Sequence, residues 1–287
     1  MLVTTLKMLI SAQKNGYAIP AFNCENMEMI QAIIAAGAEM NSPLILQTTP
    51  GTISYASAGL FAANVAAAAK DTAIPIALHL DHGNSLELAG IALEAGYTSV
   101  MIDGSQFPLE ENISFTKKAA GLCQKAGIPL EAELGRIGGK EDGLSNKNSG
   151  YTDPDEAVRF INETGASSLA ISVGTAHGVY AEKPVLNPEL ISLLRKKLAV
   201  PLVLHGASGL DDDVIRDCIS RGISKINIAT DLRIAYTAAV REYLEKDKNC
   251  IDPKKYGAAG REAVKKLAMK YIAVFGSKGR ARSLSNL

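Results

Sequence analysis

The chain contains no tryptophan, its aromatic residues amount to 5%, and its thirty basic and thirty acidic residues leave no net charge. No run of Lys or Arg forms a stripe that could follow a phosphate backbone, so nucleic acid is excluded as the main partner. The scarcity of aromatic side chains disfavours a surface on which bases or peptides stack. No apolar stretch approaches the roughly twenty residues that a bilayer span needs, and we expect a soluble protein with no membrane partner.

The cysteines also carry little pattern. Cys24, Cys123, Cys218 and Cys250 are scattered without CxxC spacing, which is typical of free thiols in a reducing compartment. The opening segment MLVTTLKMLISAQKNGY lacks the basic flank, apolar block and cleavage site of a secretory signal. We therefore expect a cytoplasmic protein.

Eight short apolar segments recur along the 287 residues, and each is followed by an Ala-, Leu-, Lys- and Glu-rich segment with helical periodicity. This alternation is the signature of repeated βα units. The predicted strands are residues 17–22, 43–47, 75–80, 99–102, 129–133, 168–173, 201–204 and 223–228. The predicted helices are residues 27–40, 57–70, 85–95, 109–126, 154–164, 188–198, 211–221 and 232–245.

Two further helices are predicted, residues 6–14 before the first strand and residues 258–275 after the eighth unit. Eight near-even units without a break in composition predict an α/β fold, a (β/α)8 TIM barrel with an extra N-terminal and an extra C-terminal helix, in a single domain over residues 1–287. A doubly wound sheet is the alternative. Residues 135–150 predict a mobile loop above the barrel mouth, and the tail after Gly276 predicts a loosely ordered end.

All four histidines stand at or just after the end of a predicted strand, in HLDHG (79–83), GTAHG (174–178) and HGASG (205–209). In a barrel these strand ends meet at one mouth. Three neutral imidazoles with an open fourth position form the ligand set of a catalytic zinc site. We therefore predict that His82, His177 and His205 bind one metal ion, whereas His79, inside the strand, either orients a ligand or is simply packed.

Carboxylates end predicted strands as well. Asp81 adjoins a predicted metal ligand, which favours a role in proton transfer. Asp103 and Glu133 are predicted to orient ligand imidazoles or to hold the metal in an alternative position. For Asp103 and Glu131, capping of a helix or binding of water is an equal alternative.

Two segments that open helices, GASG (206–209) and NIATD (227–231), predict a phosphate cradle of free backbone amides. Lys225 lies two residues before Asn227 on the same strand face, which directs its side chain into the barrel. It either forms a Schiff base with a ketone or pairs with a carboxylate such as Glu131. Pairing is favoured because the histidine set already supplies an electrophile.

The segments HLDHG, MIDGS, EAELGRIGG followed by KEDG, GTAHGVY, PLVLHGASG and KINIATDL, in this order, resemble the class II, zinc-dependent ketose-bisphosphate aldolases. The resemblance spans nearly the whole chain and implies reversible cleavage of a ketohexose 1,6-bisphosphate to dihydroxyacetone phosphate and glyceraldehyde 3-phosphate. GTAHG, HGASGL and NIATDL resemble the tagatose-bisphosphate type more than the fructose-bisphosphate type. Gly83 stands where the tagatose enzymes often carry a second histidine, so fructose 1,6-bisphosphate is the alternative substrate.

The resemblance also implies roles for residues. His82, His177 and His205 match the ligands of one Zn²⁺ per subunit, Asp81 matches the residue that exchanges a proton with the C4 hydroxyl or aldehyde oxygen, and Glu141 matches the carboxylate that moves a proton at C3 of dihydroxyacetone phosphate. The residues that match its binding elements are Gly178, Gly206, Ala207, Ser208, Asn227, Ile228, Ala229 and Thr230.

K⁺ or Na⁺ often assists near that phosphate in the family, and a homodimer or homotetramer is expected.

Two other functions are weighed against this one. The first is a lysine-dependent aldolase that uses Lys225. The second is a non-catalytic barrel subunit that stabilises a partner aldolase.

Overall fold

A computed structural model of the chain describes residues 2–141, 144–146, 150–180 and 182–284, without the side chains of residues 140, 141 and 144–146. The strands are β1 (Ile19–Asn23), β2 (Leu44–Thr48), β3 (Ile76–Gly83), β4 (Ser99–Ile102), β5 (Leu130–Leu134), β6 (Gly138–Glu141), β7 (Leu144–Asn146), β8 (Ser168–Ile171), β9 (Ala176–His177), β10 (Leu202–Leu204) and β11 (Ile223–Ile228). The helices are α1 (Thr5–Asn15), α2 (Met27–Met40), α3 (Pro50–Ala56), α4 (Ala58–Ala69), α5 (Leu86–Glu94), α6 (Leu109–Ala126), α7 (Pro154–Thr164), α8 (Pro188–Lys197), α9 (Asp212–Ser220), α10 (Thr230–Lys246) and α11 (Pro253–Val274).

Eight of the strands close into a parallel barrel in the order β1, β11, β10, β8, β5, β4, β3 and β2. The barrel strands are buried along their whole length, as expected of parallel strands covered by helices. All eight predicted strands overlap barrel strands, which confirms the (β/α)8 barrel and excludes the doubly wound sheet.

The barrel interior is filled in layers. At its amino-terminal end, Met8 and Leu9 of α1 pack with Ile19 and Ile45 of the barrel strands, so the predicted N-terminal helix closes the bottom. A central layer contains Met101, Ala170 and Val203. Polar and charged side chains lie above it, toward the carboxyl ends of the strands, where barrel enzymes place their sites.

The helix boundaries follow local capping chemistry. Asp153 accepts hydrogen bonds from the amides of Asp155 and Glu156 at 2.8 and 2.9 Å and begins α7, with Pro154 in the first turn. Thr49 and Pro50 begin the short helix α3 in the same way. The sequence prediction missed α3 because only seven residues separate this start from Ser57, which caps α4.

Two segments that were predicted to be loosely ordered contain regular structure. Within residues 135–150, β6 pairs antiparallel with β7 and parallel with β9, whereas residues 142, 143 and 147–149 lie outside the described residues. In the tail, a 3-10 helix spans Arg280–Leu284, and Ala281 and Leu284 are buried. Apolar burial holds this turn against the barrel bottom, so the prediction of a loose end is wrong for these residues.

Among the described residues, no single helix is both long and apolar enough to cross a membrane. The helix pair Pro50–Ala56 and Ala58–Ala69 meets the length and composition criterion only when taken together, and it bends by 89° at its break.

Candidate active site

Three histidines converge at the carboxyl end of the barrel. His82 lies near the end of β3, His177 lies in β9, and His205 follows β10 directly. The ring centroids of His82 lie 5.0 Å from His177 and 4.7 Å from His205, and those of His177 and His205 are 5.8 Å apart. One nitrogen of each ring lies within 4.8 Å of the others. The structure therefore brings together the three side chains that the sequence predicted as metal ligands.

Carboxylates fix the orientation of two of these imidazoles. The Nδ1 of His82 lies 2.8 Å from Asp103 Oδ2, and the Nε2 of His205 lies 3.1 Å from Glu131 Oε1. Because each carboxylate accepts the proton of one ring nitrogen, the opposite nitrogen keeps its lone pair. These opposite atoms, His82 Nε2 and His205 Nδ1, lie 2.9 Å apart and face the same space.

Burial keeps two of these imidazoles, those of His177 and His205, neutral. It lowers the pKa of His177 to about 3, with repulsion from His82 as the next cause. Burial and repulsion from His82 likewise hold the pKa of His205 well below its usual value. Neutral imidazoles are the form that ligates divalent metals, so this donor set fits the zinc ion that the family resemblance implies.

A second group of possible ligands joins His82 to Asp103 and Glu133, again within 4.8 Å. Glu133 Oε2 lies 3.9 Å from His82 Nδ1 and is buried without a hydrogen-bond partner among the described residues. Burial and the charge of Asp103 raise the pKa of Glu133 well above its usual range. Asp103 therefore contacts a predicted metal ligand, and Glu133 lies near enough to His82 and Asp103 to belong to the alternative metal position.

Asp81 is the best-anchored carboxylate of the site. Its Oδ2 accepts hydrogen bonds from Asn23 Nδ2 at 2.9 Å and Gln47 Nε2 at 3.0 Å, and its Oδ1 accepts one from Asn227 Nδ2 at 3.1 Å. Burial alone would raise the pKa of Asp81, but electrostatic interaction with His82, His205 and Lys225, together with the Asn23 hydrogen bond, lowers it. Asp81 is therefore an anion beside the histidine cluster.

Lys225 points into the barrel, as its strand position predicted. It is fully buried, and its Nζ lies 3.0 and 2.9 Å from the two carboxylate oxygens of Glu131. His79 is also fully buried, with Nδ1 2.8 Å from Ser99 Oγ and Nε2 3.5 Å from Lys225 Nζ. The contact of Lys225 with Glu131 favours an ion pair over a Schiff base for Lys225. The contacts of His79 identify it as a packed, hydrogen-bonded residue.

A narrow pocket beside the histidines matches the predicted phosphate cradle. Its lining residues are His177, Gly178, Gly206, Ala207, Ser208, Asn227, Ala229 and Thr230. Helix α10 begins here at Thr230 without a side-chain cap on its first turn, so its amides can face an anion. Ile228 does not line the pocket; its side chain lies in the apolar core under the helices, because alternate residues of a strand point to opposite faces.

Tyr180 links two segments that carry predicted metal ligands, and no motif in the sequence identified it. Its hydroxyl donates to the carbonyl of Gly206 at 2.7 Å and accepts from the amide of Ala176 at 2.8 Å. Ala176 precedes one predicted ligand and Gly206 follows another. The tyrosine therefore fixes these segments to each other.

Glu141 ends β6, and its side chain lies outside the described atoms. The backbone leading to it is anchored beside a predicted metal ligand, because Gly138 pairs with Ala176 and Gly139 with His177. Gly139 has φ +98°, and a Cβ there would lie 2.2 Å from the carbonyl oxygen of His177. Only glycine fits this close approach.

The family model for class-II fructose-bisphosphate aldolase matches residues 3–280 of the chain. The chain belongs to this aldolase family. This match confirms the resemblance that the ordered motifs indicate, and the barrel is that of a class II aldolase.

Relatives of this class II aldolase align over nearly all of it. The D-tagatose-1,6-bisphosphate aldolase subunit GatY of Klebsiella oxytoca is 43% identical over 285 residues, which cover 97% of this chain and 99% of GatY. The crystal structure of the YdjI aldolase from Escherichia coli K12 superposes with a TM-score of 0.87 at 37% identity, covering 98% and 100% of the two chains. The fructose-bisphosphate aldolase of Campylobacter jejuni has a TM-score of 0.82 at 25% identity, covering 97% and 96%.

Proposed function

We propose that this class II aldolase cleaves D-tagatose 1,6-bisphosphate reversibly to dihydroxyacetone phosphate and glyceraldehyde 3-phosphate, with fructose 1,6-bisphosphate as the alternative substrate. The observation that carries the reaction is the convergence of three imidazoles beside Asp81, which the amide groups of Asn23, Gln47 and Asn227 hold, and beside the cradle. The 43% identity to a protein named as a tagatose-bisphosphate aldolase subunit supports the choice of epimer.

In this proposal His82, His177 and His205 hold one zinc ion per subunit. When bound, a divalent ion supplies Lewis-acid polarisation of the substrate carbonyl. The carboxylates of Asp103 and Glu133 support an alternative position for this ion that shares His82. The same proposal includes K⁺ or Na⁺ near the cradle. It also includes a single domain and a cytoplasmic homodimer or homotetramer.

The chain's own residues bind the substrate and move the protons. The cradle binds the C1 phosphate through backbone amides. As the C3–C4 bond breaks, Asp81 accepts the proton of the C4 hydroxyl, the C4–O bond becomes the aldehyde carbonyl, and the electron pair of the broken bond passes to C3. Glu141 then delivers a proton to C3, which completes dihydroxyacetone phosphate.

A coupled assay of the zinc-loaded chain with the two bisphosphates tests the proposal. We expect a higher kcat/KM for tagatose 1,6-bisphosphate, and we expect activity to disappear after exhaustive chelation and to return with zinc. Borohydride added with substrate should trap no adduct, because the Lys225 ammonium group is engaged by Glu131. Full activity of demetallated enzyme, or a trapped imine, would contradict the metal-based mechanism.

A further inference from the structure

Three ionisable side chains, those of Lys225, Glu131 and His79, lie together in the interior of the barrel. Lys225 and His79 are fully buried, and Glu131 is nearly so. Lys225 is in register with Val203, which belongs to the central apolar layer. A buried ion pair is often no more stabilising than apolar side chains of the same volume. Stability alone therefore does not account for a lysine at this place.

The ammonium group of Lys225 engages both oxygens of Glu131. Its Nζ lies 3.0 Å from Oε1 and 2.9 Å from Oε2, so two contacts fix the plane of the carboxylate. Oε1 is also the atom that accepts the hydrogen bond from His205 Nε2, at 3.1 Å. Lys225 thus holds the group that receives the proton of His205.

His79 gives the ammonium group a third contact. Its Nε2 lies 3.5 Å from Lys225 Nζ. An ammonium group only donates, so Nε2 accepts and the ring proton is on Nδ1. Nδ1 lies 2.8 Å from Ser99 Oγ, which in turn lies 2.9 Å from Thr5 Oγ1 of α1. The position of the lysine is therefore set by a chain of buried hydrogen bonds that reaches the helix at the barrel bottom.

These donors and acceptors select one orientation of the His205 ring. The carboxylate of Glu131 can only accept, so His205 Nε2 carries the proton and Nδ1 keeps its lone pair. Nδ1 lies 2.9 Å from His82 Nε2. The ring therefore presents its free nitrogen to another predicted metal ligand.

We propose that Lys225 is a positioning residue of the metal site: acting through Glu131, it holds the His205 imidazole with Nδ1 turned toward His82. The inference rests on the proposed zinc-dependent function and concerns the same site. Replacing a side chain that orients a ligand imidazole typically lowers metal affinity or activity by about ten- to a hundredfold. Without Lys225 the carboxylate loses the contacts that fix its plane, and the His205 ring is no longer held in one orientation.

The test measures zinc affinity of the full-length chain by chelator competition, together with urea unfolding of the demetallated protein. Lys225→Met removes the ammonium group at nearly constant length, and we expect zinc affinity to fall by about ten- to a hundredfold. Lys225→Gln keeps an N–H donor for Glu131, so it should fold even where the methionine variant does not. We expect it to lose a smaller factor, at least about threefold.

Ile191→Ala is the matched control for a general loss of stability. Ile191 lies on α8 and is fully buried in the apolar core, so its truncation lowers the urea midpoint. The substitution touches no member of the hydrogen-bond chain. We therefore expect zinc affinity to stay at the wild-type value although the protein unfolds more easily.

A loss below about tenfold in Lys225→Met, or below about threefold in Lys225→Gln, would overturn the inference. An equal loss of zinc affinity in Ile191→Ala would overturn it as well, because the ion pair would then serve only the stability of the barrel. A lysine that formed an imine with substrate would, on replacement, abolish turnover and leave zinc affinity unchanged, which also contradicts the inference. Failure of the wild-type chain to bind zinc would instead overturn the proposed function.

Discussion

At the scale of single residues, the site depends on partners that lie on neighbouring strands. The histidines and Asp81 could be predicted from the sequence, because they end apolar segments and such ends share one mouth. The contacts of Glu131 with His205, and of Asn23 and Gln47 with Asp81, could not. They depend on the register and order of strands far apart in the chain, which local patterns do not encode.

Replacement of Asp81 by Asn should separate metal binding from proton transfer. The amide keeps the size of the side chain but cannot accept the C4 proton, so we expect kcat to fall by about 10²–10⁴-fold while zinc content stays stoichiometric. A coupled assay and metal analysis measure the two quantities. Loss of zinc from the Asn variant would instead identify Asp81 as a residue that maintains the histidine cluster.

At the scale of elements, apolar runs made the barrel strands predictable, but the β6–β7 pair could not be predicted from the sequence. GRIGGKEDGLSNKNSG has no alternation of apolar residues, and its strand character comes from pairing with β9, more than thirty residues later. The sequence therefore predicted a loop where a backbone ladder joins the segment of Glu141 to that of His177.

Gly139→Ala tests this ladder. The new Cβ would lie 2.2 Å from the carbonyl oxygen of His177, at a φ of +98°, so β6 and β9 must separate. Because a displacement of about 1 Å in a site costs about a hundredfold in rate, we expect a loss of this order in kcat together with weaker zinc affinity in a chelator competition. Gly121→Ala on α6, where no atom lies within 4 Å of the added Cβ, should leave both unchanged, and equal effects would exclude a specific role for the ladder.

Asp153→Ala tests the start of α7. It removes the acceptor for two backbone amides, and we expect the free energy of unfolding to fall by about 1 kcal/mol in urea titrations. Asp153→Asn keeps an acceptor at the cap and should cost only a few tenths of that. Equal losses in both variants would assign the effect to charge rather than to capping.

At the scale of the whole molecule, buried thiols should make stability fall in alkali. The four cysteines are free, and burial raises the pKa of Cys123 and of Cys218 to about 11. Between about pH 9 and 11 the unfolded chain releases thiol protons that the folded chain retains, so the free energy of unfolding decreases as pH rises. We expect the urea midpoint to be constant from about pH 7 to 8 and to decline above about pH 9.

A variant with alanine at both cysteines provides the control. It should start from a lower midpoint, because two buried side chains are shortened, but its midpoint should decline less between about pH 8 and 10. The same decline in both proteins would show that other groups, such as the buried tyrosines, are responsible.

The backbone at His82 has a consequence for the molecule's tolerance of heat. This predicted metal ligand has φ 49°, in a region that non-glycine residues enter at a conformational cost. The register between β3 and β4 shifts across the same turn, which lets the imidazole reach its neighbours. The backbone conformation that places this imidazole therefore lowers the stability of the fold. Attempts to raise the melting temperature should begin elsewhere in the chain.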